Sequence, residues 1–468
     1  MMALAAVSAW AILLSSCATL PEASALPSMA QADSHAAAQS FAATETPWPS
    51  DGWWSAFGDP QLTGLIEEGL AGASDLRVAE ARLARAQALI TQSRSGLLPS
   101  VSAGAQAGVT QQSENYLVPA GFAPRGWPDY GQVSANLSWD LDFWGKNRAA
   151  LNAAKLEASA AQAEAAAARL TIAAGIADGY AGLSGLYFER DAAEKAVTVR
   201  SRTVELLAER EREGLENSGA VAQARSVLAT AQGQLLALNE NIELSQNGLA
   251  ALMGAGPDRG RSIARPGNAL TRDFGLPANI PAELLGRRPD IIAARMRAEA
   301  ASSRIDQAEA AFYPNINLTA LIGLQGLGLG NVFKSGSDFG SAAPALTLPI
   351  FDGGRLRGQY RAAEADYFAA VGQYDGVLVQ ALRQVADAAT SRRALDQRLE
   401  KAQAAADAAQ AAWTVANNRY RGGLASYLNV LTAEDALIAA RRDVASLQTR
   451  AFSLEIALIR ALGGGYRS

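Results

Sequence analysis

One pattern in this chain of 468 residues is written twice. Asp75-Leu76 opens the run RVAEARLARAQALITQSRSGLLP, and about 215 residues later Asp290-Ile291 opens IAARMRAEAASSRIDQAEAAFYP. Both runs are proline-free and rich in strong helix formers until they stop at Pro99 and Pro314. Residues then alternate, as PSVSAGAQAGV and as PNINLTALIGLQG. After a turn-rich segment they alternate again, as GQVSANLSWDLDFWG and as SAAPALTLPIFDGG. Period-two alternation marks a strand with two unlike faces. Proline is tolerated at the first residue of a strand but not inside a helix, so each proline marks a helix giving way to a strand. The pattern predicts strands at about 99–110, 130–143, 314–326 and 338–351, long enough when tilted to cross a bilayer.

Between the second strand of each repeat and a later glycine turn lie two more proline-free runs, about 145–214 and 353–422. Helices of that size extend roughly 105 Å at about 1.5 Å per residue, beyond anything an ordinary globular domain needs. They break at EREGLENSGAVAQAR and RYRGGLASYLNVLTAE, and shorter helices return at about 219–254 and 426–462. A leading helix of about 38 residues (60–97) and a returning helix of about 36 are together as long as one long helix, so the two can stack beside it as a cylinder wall. Hydrophobic residues make up 49% of the chain, much of it alanine, and aromatics only 7%. Long helices in close approach fit this composition better than a broad core does. Four strands cannot close a barrel, and open edges are not tolerated in lipid, so several chains must share one barrel. Three would supply twelve strands.

The chain begins MMALAAVSAWAILLSSCATL, an apolar run too short to span a bilayer and suited to a signal peptide at 1–16. Leu14-Ser15-Ser16-Cys17 resembles the bacterial lipobox, and Cys17 is the only cysteine, so an internal disulfide or a multi-cysteine metal site is excluded. By analogy with bacterial lipoproteins, Ala18 in place of Asp fits passage to the outer membrane. No Lys or Arg precedes the apolar run, which leaves the true start codon open. A net charge of -5 offers no field for nucleic acid. The single histidine, His35, lies in a Ser/Ala/Gln-rich stretch, and no phosphate loop, Ser/His/acid set or ligand cluster occurs, so no enzyme and no cofactor beyond a covalent lipid on Cys17 is expected. Asp59-Pro60 reads as N-cap and first residue of a helix. Arg287-Arg288-Pro289-Asp290 could hold an anion but reads better as the start of the second-repeat helix.

The segments WPSDGWWSAFGDPQLTGLI (48–66), LSWDLDFWGKNRA (137–149), LPANIPAELLGRRPDIIAARMRAEAASSRI (276–305), FYPNINLTALIG (312–323), LPIFDGGRLRG (348–358) and RYRGGLASYLNVLTAED (419–435) together resemble the outer membrane efflux lipoproteins of the TolC type. The resemblance implies a mainly α protein with membrane β: a homotrimer whose twelve-stranded outer membrane barrel, four strands per chain, continues into a periplasmic α-helical barrel. It implies the exit channel of a tripartite pump, passively conducting drugs or other small toxic compounds. Its implied partners are a periplasmic adaptor (membrane fusion) protein, an inner membrane transporter of the RND type and outer membrane lipid.

The turns at Glu213, Gly214 and Leu215 and at Arg421, Gly422, Gly423 and Leu424 correspond to the family's adaptor-contacting tips. Tyr427, Leu428, Asn429 and Thr432 correspond to the periplasmic constriction, with Asn429 and Thr432 where relatives often carry Asp. Two other readings stay open: the exit duct of a type I protein secretion system, and a lipid-anchored periplasmic coiled-coil scaffold with a soluble sheet. The implied division is a signal peptide (1–16), a lipidated extended segment (17–58), a first repeat (59–260), an equatorial connection (261–286) and a second repeat (287–468).

Mass spectrometry of the mature protein should find a lipidated Cys17 at its N-terminus; an unmodified Cys17 would refute this reading. Cys17→Ala should still yield some trimer, because one acyl chain anchors only marginally beside an inserted barrel.

Overall fold

The computed structural model describes residues 20–22, 24–31, 35–36, 39–41, 45–113, 122, 125–267 and 275–467. Cys17 and the signal segment lie outside them. In chain order the elements are α1 (Pro60–Gly72), α2 (Ser74–Ser95), β1 (Ser100–Val109), β2 (Asp129–Asp140), α3 (Lys146–Arg212), α4 (Ser218–Leu252), α5 (Pro257–Arg261), α6 (Ile280–Arg287), α7 (Pro289–Ala310), β3 (Asn315–Leu327), β4 (Asp338–Thr347), α8 (Arg355–Arg421) and α9 (Tyr427–Ala461). The duplication shows in the lengths: α3 and α8 have 67 residues each, α4 and α9 have 35, and α2 and α7 have 22. No described helix is long and apolar enough to cross a membrane. The chain divides into two compact units.

The first unit comprises Arg82–Ala161 and Ala294–Tyr374 with the N-terminal residues up to Met29. Its centre is an antiparallel sheet in the order β1-β2-β3-β4. The register sets Ala105 opposite Val133, Val133 opposite Leu324, and Leu318 opposite Pro344. Because side chains alternate across a strand, this places Val101, Ala103, Val133, Leu137, Trp139, Leu318 and Ile322 on one face. Ser102, Gln106, Gln132, Ser134, Asn136, Asn317 and Thr319 fall on the other. Gln106 Nε2 donates to Gln132 Oε1 at 3.0 Å within that polar face. β1 and β4 each have one partner, so each leaves an open edge.

Aromatic side chains mark the joints between helices and strands. Trp139 Nε1 donates to the Leu97 carbonyl (3.1 Å) and Trp144 Nε1 to that of Pro314 (2.8 Å), while Trp144 stacks on Tyr313 at 4.8 Å. Amphipathic rings of this kind suit the membrane–water interface. A carboxylate then starts each long helix. Asp142 accepts from the N–H groups of Asn147 (2.8 Å) and Arg148 (3.0 Å), and Asp352 accepts from those of Leu356 (2.8 Å) and Gly354 (3.0 Å), satisfying donors with no helical partner.

The N-terminal strand of chain is strapped along α8. Ser24 N–H donates to Glu364 Oε1 (2.9 Å), Arg361 donates to Ser24 Oγ (2.7 Å) and to the Glu22 carbonyl (3.1 Å), and Tyr367 OH donates to the Pro27 carbonyl (3.1 Å). Desolvation acts to raise the Glu364 carboxyl, but the Ser24 and Arg361 donors outweigh it and hold the group below its ordinary range.

The second unit comprises Ala30–Ala81, Gln162–Ala293 and Asp375–Ser468. Its core gathers the scarce bulky residues: Trp53, Trp54, Phe57, Leu62, Leu65, Ile66, Ile176, Tyr180, Leu183, Leu249, Met253, Phe452 and Ile456. Each such side chain contributes about 1.5–3 kcal/mol when fully buried. Asp59 caps α1, its side chain accepting from Gln61 N–H (2.8 Å) and Leu62 N–H (3.1 Å), with Pro60 first in the helix. Its other oxygen accepts from the hydroxyl of the fully buried Tyr180 at 2.8 Å. Gln61 donates to Tyr180 OH (3.0 Å) and exchanges hydrogen bonds with the backbone of Ala264.

One expectation needs correction. The leading helix of about 60–97 is not continuous: Ala73 is extended (ψ 128) between α1 and α2. Backbones approach closely at this break: a Cβ on Gly254 would lie 2.4 Å from the Gly72 carbonyl oxygen and one on Gly72 would lie 2.6 Å from that of Met253. Gly254, at φ +73, is also in the left-handed region. The reading of Arg287-Arg288-Pro289-Asp290 as a helix start holds, with Pro289 first in α7 and both arginines paired. Buried Arg288 donates to both oxygens of Asp290, to Gln384 and to the Ala461 carbonyl, and Arg287 pairs with Glu283 (2.8 Å) and lies over the Trp48 ring at 4.7 Å.

Tyr180→Phe should cost about 1–2 kcal/mol by unpairing one Asp59 oxygen. Gly254→Ala should cost more, through both the clash and the backbone strain. Heating the purified protein and following loss of SDS-resistant oligomer should rank the two in that order.

Candidate functional site

The chain reverses direction twice in the second unit, and both turns have one construction. At the end of α3, Gly214 N–H donates to the Glu211 carbonyl (3.0 Å) and Leu215 N–H to that of Arg210 (2.8 Å). At the end of α8, Gly423 N–H donates to Tyr420 (2.9 Å) and Leu424 N–H to Arg419 (2.8 Å). These are Schellman caps, and they require a left-handed residue, supplied by Gly214 (φ +75) and Gly423 (φ +76). Gly422, by contrast, has no left-handed backbone, and a Cβ there would meet only ordinary contacts, 3.5 Å from the Asn418 carbonyl oxygen at the nearest. Asn217 then caps α4 by accepting from Ala220 N–H at 3.0 Å.

Glu213, Gly214, Leu215, Arg421, Gly422, Gly423 and Leu424 are all exposed. The two leucines are the unusual ones, at 62% and 73% exposure. Behind them Leu207, Val221, Ala224, Tyr420, Tyr427, Val430 and Leu431 form a small core joining the two turns. Tyr420 and Tyr427 meet edge to face at 5.9 Å, and the Arg210 guanidinium lies 5.2 Å over the Tyr420 ring.

This core separates Tyr427 from the residues with which it was grouped. Its side chain is buried at 6%, and burial, helped by nearby Glu434, pushes its hydroxyl up to about 12. Leu428 (64% exposed), Asn429 and Thr432 lie on the open face of α9. The helical period explains the split. Tyr427, Val430, Leu431, Glu434 and Leu437 share the inward stripe, while Leu428 and Thr432 share another face a turn apart. Tyr427 therefore packs in the tip core, away from the open face that carries Leu428, Asn429 and Thr432.

An ion cluster escaped sequence reasoning. Arg200 of α3 donates from Nε to Glu434 Oε1 (3.1 Å) and from Nη2 to Asp435 Oδ1 (2.6 Å) on α9. Arg200 and Glu434 are buried and Asp435 is exposed. Desolvation raises the Glu434 carboxyl against the pull of Arg200. The one available signal was Glu434 on an otherwise apolar helical stripe. Nothing in the sequence names a partner more than 200 residues away. Among the described residues, no group of three or more His, Cys, Asp or Glu could hold a metal ion.

Comparison with known proteins places this architecture. A sequence model of the outer membrane efflux protein family matches residues 65–255 and 280–464. The fusaric acid resistance protein FusA of Burkholderia cepacia is 36% identical over 324 residues, which span 68% of this chain and 60% of FusA. The multidrug resistance outer membrane protein MdtP of Escherichia coli K12 is 30% identical over 463 residues, 97% of this chain and 95% of MdtP. Among solved structures, the outer membrane protein VceC of Vibrio cholerae is 47% identical and superposes with a TM-score of 0.85, covering 90% of this chain and all of VceC. With the family model matching both repeats, and relatives similar from end to end, the chain belongs to the outer membrane efflux protein family.

Proposed function

We propose that this chain is the duct through which a tripartite pump discharges drugs or other small toxic compounds. As a member of its family it is an outer membrane efflux channel, a homotrimer working with a periplasmic adaptor and an inner membrane transporter. The observation that carries the reading is the four-stranded sheet with one apolar face, one polar face and two open edges. Three copies satisfy those edges in a twelve-stranded barrel, with the polar face toward the passage. The cargo class rests on the names of relatives, one a fusaric acid resistance protein and another the outer membrane protein of a toluene efflux pump. Conduction of this kind needs no catalytic group and no cofactor, and a lipid on Cys17 serves as anchor.

The exposed turns are the adaptor-contacting tips. Leu215 and Leu424 offer apolar side chains at the ends of both hairpins, where a partner helix end could cover them. The constriction consists of Leu428, Asn429 and Thr432, which α9 presents on its open face just behind the tip. With Asn and Thr in place of carboxylates, this ring closes by bulk and does not bind cations.

Leu428→Ala with Thr432→Ala should raise single-channel conductance of the purified protein in planar bilayers. Tyr427→Ala should not, and should instead destabilise the tip by about 2–4 kcal/mol through the cavity it leaves. Equal conductance in the double variant and the parent would move the constriction elsewhere. Leu215→Glu with Leu424→Glu should leave the trimer and its conductance intact but abolish export and resistance in cells.

A further inference from the structure

The turn between β3 and β4 folds back onto the sheet and does not simply prolong the hairpin. Gly131 of β2 and Gly326 of β3 are register partners on the face that carries Val133 and Leu324. A Cβ on Gly131 would lie 2.7 Å from Val332 Cγ2 and 3.0 Å from Leu329 Cδ2, and one on Gly326 would lie 2.9 Å from the Val332 nitrogen. Two positions without side chains thus form the seat of the turn, and Val332 is buried on it at 4% exposure. The seat belongs to the apolar face, at the end of the sheet remote from the helix joints.

Hydrogen bonds hold this turn stiff. The Asp129 carbonyl accepts from Gly328 N–H (2.6 Å) and its Oδ2 from Leu329 N–H (2.8 Å). Asn331 donates from Nδ2 to the Leu327 carbonyl (2.7 Å), while its own carbonyl accepts from Ser337 Oγ (2.7 Å) and Lys334 N–H (3.0 Å). On this fixed frame Phe333 is 79% exposed and Leu329 49%. Lys334 is exposed as well, and its Nζ donates to Asn331 Oδ1 (2.7 Å), which leaves ammonium donors for an outside acceptor. Of the two carboxylates at this end of the face, Asp129 is engaged by the turn, and Asp338, the first residue of β4, is exposed.

We propose that the β3–β4 turn is a lipid-binding wedge at the outer rim of the barrel: Phe333 and Leu329 enter the acyl region, and Lys334 holds the phosphate of a lipid headgroup. The occupant follows from continuity, because the turn lies on the same apolar face as Val133, Leu324 and Ile322, the face turned away from the passage. An aromatic ring suits the boundary between headgroups and acyl chains, and a lysine stem lies along apolar surface while its ammonium reaches the phosphate level. The strands would meet hydrocarbon whatever the turn did; a stiff turn seated on two glycines adds a grip on individual lipids. The proposal rests on the reading that the polar face lines the passage.

The test places a nitroxide on the full-length trimer in phosphatidylcholine vesicles, through Phe333→Cys, with the parent labelled in parallel to account for Cys17. Spin relaxation by oxygen, which enters lipid, is compared with relaxation by a water-soluble nickel chelate. The label at 333 should respond more to oxygen, as should one introduced by Ile322→Cys in the middle of the same face, where the side chain is 70% exposed. Leu215→Cys at the tip should give the reverse. Oxygen access at 322 with nickel access at 333 overturns the proposal while the orientation of the sheet stands; nickel access at 322 overturns that orientation itself. A label at 333 shielded from both reagents would place a neighbouring copy there and also overturns it. The headgroup contact is read by native mass spectrometry of the trimer titrated with phosphatidylglycerol. Lys334→Gln should weaken the first binding events roughly fivefold, Asp338→Asn should strengthen them, and Lys195→Gln, at an exposed lysine of the second unit, should leave them unchanged. Equal affinity in Lys334→Gln and the parent overturns the assignment.

Discussion

A peptide group at the edge of a β-sheet has a donor and an acceptor that must be satisfied, and hydrocarbon offers nothing to satisfy them. Among the described residues this chain makes four strands and leaves β1 and β4 with one neighbour each. The rest of its architecture answers that deficit. A single chain cannot exist as a finished object in a membrane, because each open edge costs several hydrogen bonds. Only the β1 edge of one copy against the β4 edge of the next removes the cost for all copies at once. Oligomerisation is thus a condition of inserting the strands, and not a later elaboration of a folded monomer.

The duplication has a physical economy. Both repeats solve the same local problems with the same devices: a carboxylate where each long helix starts, and a Schellman glycine where it ends. The return helices also end alike, with Gly254 and Gly463 both left-handed and both pressed against backbone of an earlier helix. At these second glycines the requirement is steric as well as conformational, which makes them the less replaceable pair.

Much of this was legible because its causes are local. Pro99 and Pro314 mark strand starts, alternation from Val133 to Trp139 marks a two-faced strand, and Asp59-Pro60 marks a helix start. Each follows from the geometry of a few adjacent residues. What escaped depends on distant partners. The break at Ala73 lies where Gly72 meets the backbone of Met253 and Gly254, far away in sequence. Tyr427 was grouped with Leu428 by correspondence with the family, but a helix turns neighbours to different faces, and the core that receives Tyr427 includes Leu207 and Val221 from the other repeat. The Arg200 cluster likewise joins residues of the two repeats, and no sequence spacing announces it.

The strap along α8 has a geometric consequence for membrane attachment. Its first fixed point is the Glu22 carbonyl, held by Arg361. Glu22 lies five Cα–Cα steps after Cys17, and a fully extended chain covers at most about 3.6 Å per step. The acyl group proposed for Cys17 would therefore be confined to within about 18 Å of one place beside the start of α8. Three such leashes on a trimer would moor it at three equally spaced points of the same height. The lipids would then act less as an anchor than as a spirit level, opposing tilt of the barrel in the bilayer.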